Sequence, residues 1–313
     1  MWHPTFLLRP RIVSVRSNAN GRYWIGMAQV FLSAAVFGVC PTIMSASYRY
    51  GVDSYSGPAF RALFALLPLF FLCRIRGISL RIDKKEAGLL ATAGVFGLTT
   101  TNILFCTSYS IIPVGVATSL HFTYPALTCL LAVLLFREKI TAGKLLSLLM
   151  AVAGVFICAD FAGGSYTPSG IVLALLSAVS YTFLILFLSH TGLGRMNTFC
   201  YTFYVSLCVC LCGFVFSAFT GHLTFNIAPM GWMFLLLAAI ANLCIALPLF
   251  AMGLRKISDT TATVLSTLEP VVSVICATVL LGEKFRIHTG IGCLLVVGSA
   301  VLLTAIESRC RKR

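Results

Sequence analysis

Long apolar stretches separated by short polar turns run through almost the whole chain. They fall at 24–46, 56–73, 87–108, 113–136, 143–161, 168–189, 198–219, 230–253, 260–281 and 289–306. A helix needs about 20 apolar residues to cross a bilayer, so the pattern predicts an all-α integral membrane protein with ten transmembrane helices. The second stretch carries the weakest hydropathy signal, because it contains Arg61 and begins in a Gly and Pro turn. Residues 1–23 and 307–313 remain as basic tails.

The pattern repeats. Shifting the chain by 145 lays Ile111–Ile140 on Lys256–Phe285 with nine identities in thirty, among them Pro125 on Pro270, Glu138 on Glu283 and Lys139 on Lys284. A shift of 144 lays Gly26, Leu32, Ser33 and Ala34 on Gly170, Leu176, Ser177 and Ala178. Each half, 24–161 and 168–306, therefore holds five spans. An odd number of spans makes the second unit enter from the opposite side, which predicts inverted-topology repeats. Many secondary transporters are built this way, with the site near the midplane between the repeats.

Composition agrees and narrows the partners. Of 313 residues 59% are hydrophobic and 10% charged, whereas a soluble domain is about a quarter charged, so an ordinary soluble domain is excluded and the lipid bilayer is the expected surrounding. The net charge of +14 could suggest nucleic acid, but the basic residues sort by membrane side: nineteen fall on one side, and only Arg49, Lys284 and Arg286 on the other. That asymmetry sets orientation. It predicts a multi-pass protein of the cytoplasmic (plasma) membrane with both termini cytoplasmic and no nucleic-acid partner. Twelve of the thirteen cysteines lie in apolar stretches and read as small reduced hydrophobes rather than a disulfide framework. Residues 1–23 hold four Arg and no long apolar core, so no removable signal peptide is expected. No Asn-x-Ser/Thr sequon occurs.

A Pro midway along the fourth helix of each half, followed by Leu-x-x-Glu-Lys at Leu135–Lys139 and Leu280–Lys284, resembles the drug/metabolite transporter superfamily, EamA type. The resemblance covers about residues 24–306. It implies a transporter of small organic molecules, usually exporting metabolites or amino acids, with a site formed by spans one, three, four, six, eight and nine. It does not identify the substrate.

The repeat also aligns two polar stripes: Thr118, His121, Tyr124 and Thr128 in span four, and Thr263, Ser266, Glu269 and Ser273 in span nine, at equal spacings. At about 100° per residue each stays on one face of a helix, and polar groups in hydrocarbon turn inward. The hydroxyls also fit plain interhelical hydrogen bonding. Glu269 is the only acidic residue well inside a span, which marks a functional candidate. A partly dehydrated carboxylate there can take up a proton from one side and release it to the other, making Glu269 the proton-coupling candidate. The competing reading is a hydrogen-bonded Glu that holds the Pro270 break in shape.

Pro125 and Pro270 each remove a backbone donor in mid-helix and serve as hinge candidates; Pro41 and Pro248 sit similarly in spans one and eight. His121 reads as a neutral interior histidine bonded to a neighbour, or as a proton relay. Arg61 reads as snorkelling or paired with Asp53, or as a group that attracts a substrate carboxylate; in the resembled family an Arg in this part of helix two is common. Asn102 and Asn242 could orient a substrate or glue the bundle. Phe37 and Tyr181 could form an apolar wall or simply pack. The expected substrate site is thus Tyr124, His121, Glu269, Ser266, Asn102, Asn242, Phe37 and Tyr181.

Other signals fail. Cys208, Cys210 and Cys212 alternate along a helix, so they cannot all close on one metal. Gly163-Gly164-Ser165 reads as a turn without a nucleophile's partners, and no phosphate-binding loop occurs. No cofactor, metal or catalytic residue is expected. The alternative from another class is an intramembrane enzyme acting on a lipid, with Glu269 and His121 as acid and base; a channel is a third, though the few charges form no evident ring.

Overall fold

The computed structural model describes residues 19–112, 114–137, 140–158, 167–281 and 287–312. The Glu138-Lys139 and Glu283-Lys284 pairs and the Gly163–Ser165 turn lie outside the described residues. Among those described, every regular element is helical: α1 (Ala19–Tyr48), α2 (Gly57–Ile75), α3 (Lys84–Thr92), α4 (Thr100–Ile111), α5 (Val114–His121), α6 (Tyr124–Phe136), α7 (Ala142–Cys158), α8 (Pro168–His190), α9 (Thr198–Phe219), α10 (Pro229–Ala239), α11 (Leu247–Leu254), α12 (Asp259–Ser266), α13 (Leu268–Leu281) and α14 (Ile287–Lys312). Seven segments are long and apolar enough to cross a membrane, and two shorter apolar helices, Ala142–Ile157 and Gly290–Ile306, stand at the fifth and tenth expected spans. Large apolar side chains such as Phe31, Leu67, Phe71, Phe96, Leu134 and Leu294 stay exposed on the outside of the bundle, as lipid contact allows.

Local chemistry explains where several helices depart from the apolar pattern. The third span begins at Lys84 rather than 87 because Asp83 accepts from the Glu86 amide and Glu86 accepts from the Asp83 amide, a reciprocal capping box. The fourth and ninth spans are broken near their prolines: α5 ends before Phe122 and Thr123, and α12 is separated from α13 at Thr267. A proline ring collides with the carbonyl four residues earlier and donates no hydrogen bond, and those residues are His121 for Pro125 and Ser266 for Pro270. At both breaks a threonine turns back on the preceding turn, Thr123 Oγ1 donating to Leu120 O at 2.8 Å and Thr267 Oγ1 to Val264 O at 2.6 Å, carbonyls that also accept from the Thr123 and Thr267 amides.

The third and eighth spans share a feature absent from the sequence reading. Each contains a π-helical turn, Ala93–Thr99 between α3 and α4 and Ile240–Ala246 between α10 and α11. A π turn widens the helix and leaves its carbonyls poorly aligned. In both cases a serine from the other half caps them. Ser180 on α8 donates to Phe96 O and Gly97 O at 2.7 and 2.9 Å, and Ser33 on α1 donates to Ala246 O at 2.8 Å.

The halves interlock rather than sit side by side. Helix α1 packs on α10, α11 and α13 of the second half, α8 on α4, α5 and α6 of the first, α2 on α9, and α7 on α14. Without a hydrophobic drive between helices in lipid, close approach at small residues and interhelical hydrogen bonds must hold such contacts. At Gly38 a methyl group would lie 2.6 Å from Glu269 O and from Val272 Cβ. Gly38→Ala therefore forces α1 away from the α12–α13 break, and overpacking of this kind costs about 1–3 kcal/mol. The expected result is a lowered unfolding temperature in nanodiscs; an unchanged one would mean that the two helices separate freely.

Candidate functional site

The two breaks face each other. Tyr124 opens α6 and is buried, and α6 packs on α12, whose last residue is Ser266, so the break in one half lies against the break in the other. Thr182 on α8 donates to Tyr124 O at 3.3 Å and is bonded by Thr128 at 3.4 Å. The remaining stripe hydroxyls turn onto their own helices: Ser266 donates to Ala262 O, and Thr263 to Asp259 O and Thr260 O.

His121 is buried, its Nδ1 2.8 Å from Ser177 Oγ. Ser177 donates to Ala174 O at 2.6 Å, which leaves its lone pair to accept from His121 Nδ1–H and assigns that proton. The imidazole is also stacked on Phe105 with centroids 4.2 Å apart. It is thus an interior histidine bonded at Nδ1 and stacked on one face. Tyr181 meets Tyr124 edge-on at 4.9 Å and lies 5.6 Å from His121. Tyr181 thus belongs to an aromatic wall with Phe105, Phe122 and Tyr124, whereas Phe37 is half-buried against the core and makes no ring pair among the described residues.

Glu269 lies in the first turn of α13, where the positive end of the half-helix favours a carboxylate. It has Cys40, Tyr124 and Tyr181 as electrostatic neighbours, and its backbone is covered by α1 at Gly38. These neighbours come from α1, α6 and α8, and Glu269 itself is half-buried. Among the described residues its carboxyl makes no hydrogen bond.

Two asparagines sit at the π turns. Asn242 lies within the second one, near Cys40 of α1, whose thiol donates to Val36 O at 3.3 Å. Asn102 follows the first; its Nδ2 donates to Leu98 O at 2.8 Å, and its Oδ1 accepts from Arg61 Nη2 at 2.5 Å. The expectation for Arg61 is corrected here. It neither snorkels nor pairs with Asp53: Arg61 is 5% exposed, while Asp53 accepts from the Tyr55 and Ser56 amides and lies 3.2 Å from His222. The Gly and Pro turn before α2 folds Asp53 back on its own loop.

Sequence reasoning missed Cys40, Ser177 as the partner of His121, and a polar clasp at one end of the bundle. There Ser189 donates to Asp259 Oδ1 at 2.6 Å, His190 Nδ1 lies 3.5 Å from Asp259 Oδ2, and Phe136 stacks on His190. Arg255 donates to Met196 O and Leu193 O, and Lys256 to Gln29 Oε1. The repeat alignment contained one usable signal, the match of Ser33 to Ser177; no spacing rule would have paired His190 with Asp259.

Comparison with known proteins bears on this arrangement. The EamA-like transporter family model matches residues 24–159 and again 168–305. An uncharacterized transporter of Bacillus subtilis (strain 168), YetK, is 28% identical over 83% of this chain and 80% of its own. An uncharacterized transporter of Clostridium kluyveri is 21% identical over 71% of this chain and 74% of its own. A crystal structure superposes with a TM-score of 0.78 at 18% identity, over 90% of this chain and 98% of that one, a likeness that concerns the fold alone.

Proposed function

Because the chain belongs to the EamA-like transporter family, a family of transporters and not of enzymes, we propose that it exports a small organic metabolite, an amino acid or drug-like compound, across the cytoplasmic membrane by alternating access, coupled to protons through Glu269. The observation that carries this reading is the carboxyl of Glu269, half-buried at the start of α13, near residues of α1, α6 and α8 and free of hydrogen bonds among the described residues. Such a group is available to both a proton and a substrate. The tyrosine and histidine cluster forms an apolar and aromatic wall beside it, and Ser266, Asn102 and Asn242 supply polar contacts.

Alternating access asks for two states of similar free energy. We assign the change to ten spans in two inverted repeats, rocking at the breaks after α5 and α12 and at the two π turns. The packing of α6 on α12 joins the moving parts, so a substrate that enters between them would loosen one half from the other. A lipid-directed enzyme would need Glu269 and His121 to act on one bond, and His121 is engaged by Ser177 and Phe105. Counterflow in proteoliposomes tests the transport reading: accumulation of unaltered labelled compound from a panel of amino acids and cationic drugs is expected, and covalent change without accumulation would overturn it.

The charge asymmetry predicts the orientation. With single cysteines in a cysteine-depleted variant, Thr220→Cys should react with an impermeant maleimide on intact cells while Ser79→Cys is protected; both positions are exposed. Equal labelling at the two would contradict cytoplasmic termini.

A further inference from the structure

We propose that Arg61, oriented by Asn102, is a carboxylate-binding subsite of the transport pathway, so that the molecule carried is held by a carboxylate. This rests on the transporter reading above and adds the substrate's chemical class.

Arg61 is buried in the second turn of α2, yet its donors are nearly unused. Among the described residues it makes one hydrogen bond, from Nη2 to Asn102 Oδ1, and its Nε is buried without a partner. No described carboxylate pairs with it, since Asp53 is taken up by its own loop and by His222. Its electrostatic neighbours are Cys40, Tyr48 and Cys106, groups that are neutral at physiological pH. A guanidinium carries five donors, and burying its charge without a counter-ion is expensive. Arg255 shows what an arginine that braces the bundle looks like: both its Nη atoms donate to backbone carbonyls, of Met196 and Leu193. Arg61 instead engages one Nη, with Asn102, and no backbone carbonyl among the described residues.

Asn102 fixes the guanidinium. With Nδ2 committed to Leu98 O, its Oδ1 is the acceptor presented to Arg61, and the other edge of the guanidinium, with Nε, is left for a bidentate oxyanion. The direction in which a bound molecule would extend follows from Cys40. Cys40 of α1 lies within electrostatic reach of both Arg61 and Glu269 and near Asn242, so the two charged groups flank one position of that helix. A carboxylate at Arg61 therefore leaves the rest of the molecule lying toward Asn242, Glu269 and the aromatic wall. A plain organic acid and a zwitterion share this carboxylate; an amino group would reach toward Glu269.

The test uses the full chain in lipid nanodiscs, with thermal unfolding and equilibrium binding as readouts. The probes are phenylalanine, 3-phenylpropionate, leucine and 4-methylpentanoate, each beside its primary amide. We expect at least one acid to stabilise the wild type while its amide does not, and comparison of amino acid with des-amino acid to separate zwitterion from plain acid. Arg61→Gln should weaken the preferred acid by at least about tenfold and Arg61→Lys by less. Ligand-free, Arg61→Gln should unfold no earlier than wild type, since no ion pair is lost. The subsite is overturned if no acid is preferred over its amide, if Arg61→Gln keeps the preference, or if that variant alone unfolds several degrees early, which is what a brace would do. Counterflow of a neutral compound by a wild type showing no acid preference would overturn the subsite and leave the transporter reading standing.

Discussion

Glu269→Gln is expected to exchange substrate across proteoliposomes at close to the wild-type rate while losing all accumulation driven by an imposed pH difference. Gln keeps the size of Glu and can hydrogen-bond, but it cannot bind and release a proton. A substrate that moves alone equilibrates with its own gradient, whereas one exchanged for a proton gains about tenfold accumulation per unit of pH difference. Glu269 is suited to this separation because its carboxyl lies half-buried beside the break after α12 and makes no hydrogen bond among the described residues. Had it braced the Pro270 break, Gln would preserve both activities and Ala would damage both. Accumulation by the Gln variant in response to pH would remove Glu269 as the coupling group.

The second large effect is expected at the helix breaks. Pro125→Ala combined with Pro270→Ala should slow counterflow by tenfold or more while leaving the unfolding temperature unchanged or higher. Ala restores a backbone donor and is favoured over Pro inside a helix by about 3 kcal/mol, so α5 can continue into α6 and α12 into α13. The bonds of the Thr123 hydroxyl to Leu120 O and of the Thr267 hydroxyl to Val264 O would be remade, and the packing of α6 on α12 across the two breaks would be reset. A double variant that unfolds as wild type and exchanges as fast would show that the breaks are static features of the bundle.

The helical class, the spans and the duplication were legible because each rests on a local or periodic property. Twenty apolar residues in lipid must satisfy their own backbone bonds, which leaves a helix as the outcome, and a matched Pro 145 residues apart is visible in one dimension. Pro125 and Pro270 also pointed to the breaks, because the clash with the fourth carbonyl back is local. The sequence did not foretell how deep the interruption runs, since a proline kink and a full break differ by how the backbone before the proline is bonded again. Here the Thr123 and Thr267 amides turn to the carbonyls three residues back, Leu120 O and Val264 O, and their hydroxyls donate to the same carbonyls.

Sequence alone determined that the chain is an all-helical membrane protein of two like halves, with its one deep carboxylate at a proline break. Only the tertiary structure decided what surrounds that carboxylate. The π turns depend on serines donated by the opposite half, Ser180 to Phe96 and Gly97 and Ser33 to Ala246. The partner of His121 is Ser177, 56 residues away. Arg61 has exchanged its sequence neighbour Asp53 for Asn102, 41 residues on. In each case the group is polar and buried, so it must find a partner, and the identity of that partner is set by which helices the interlocking of the halves brings within about 3 Å.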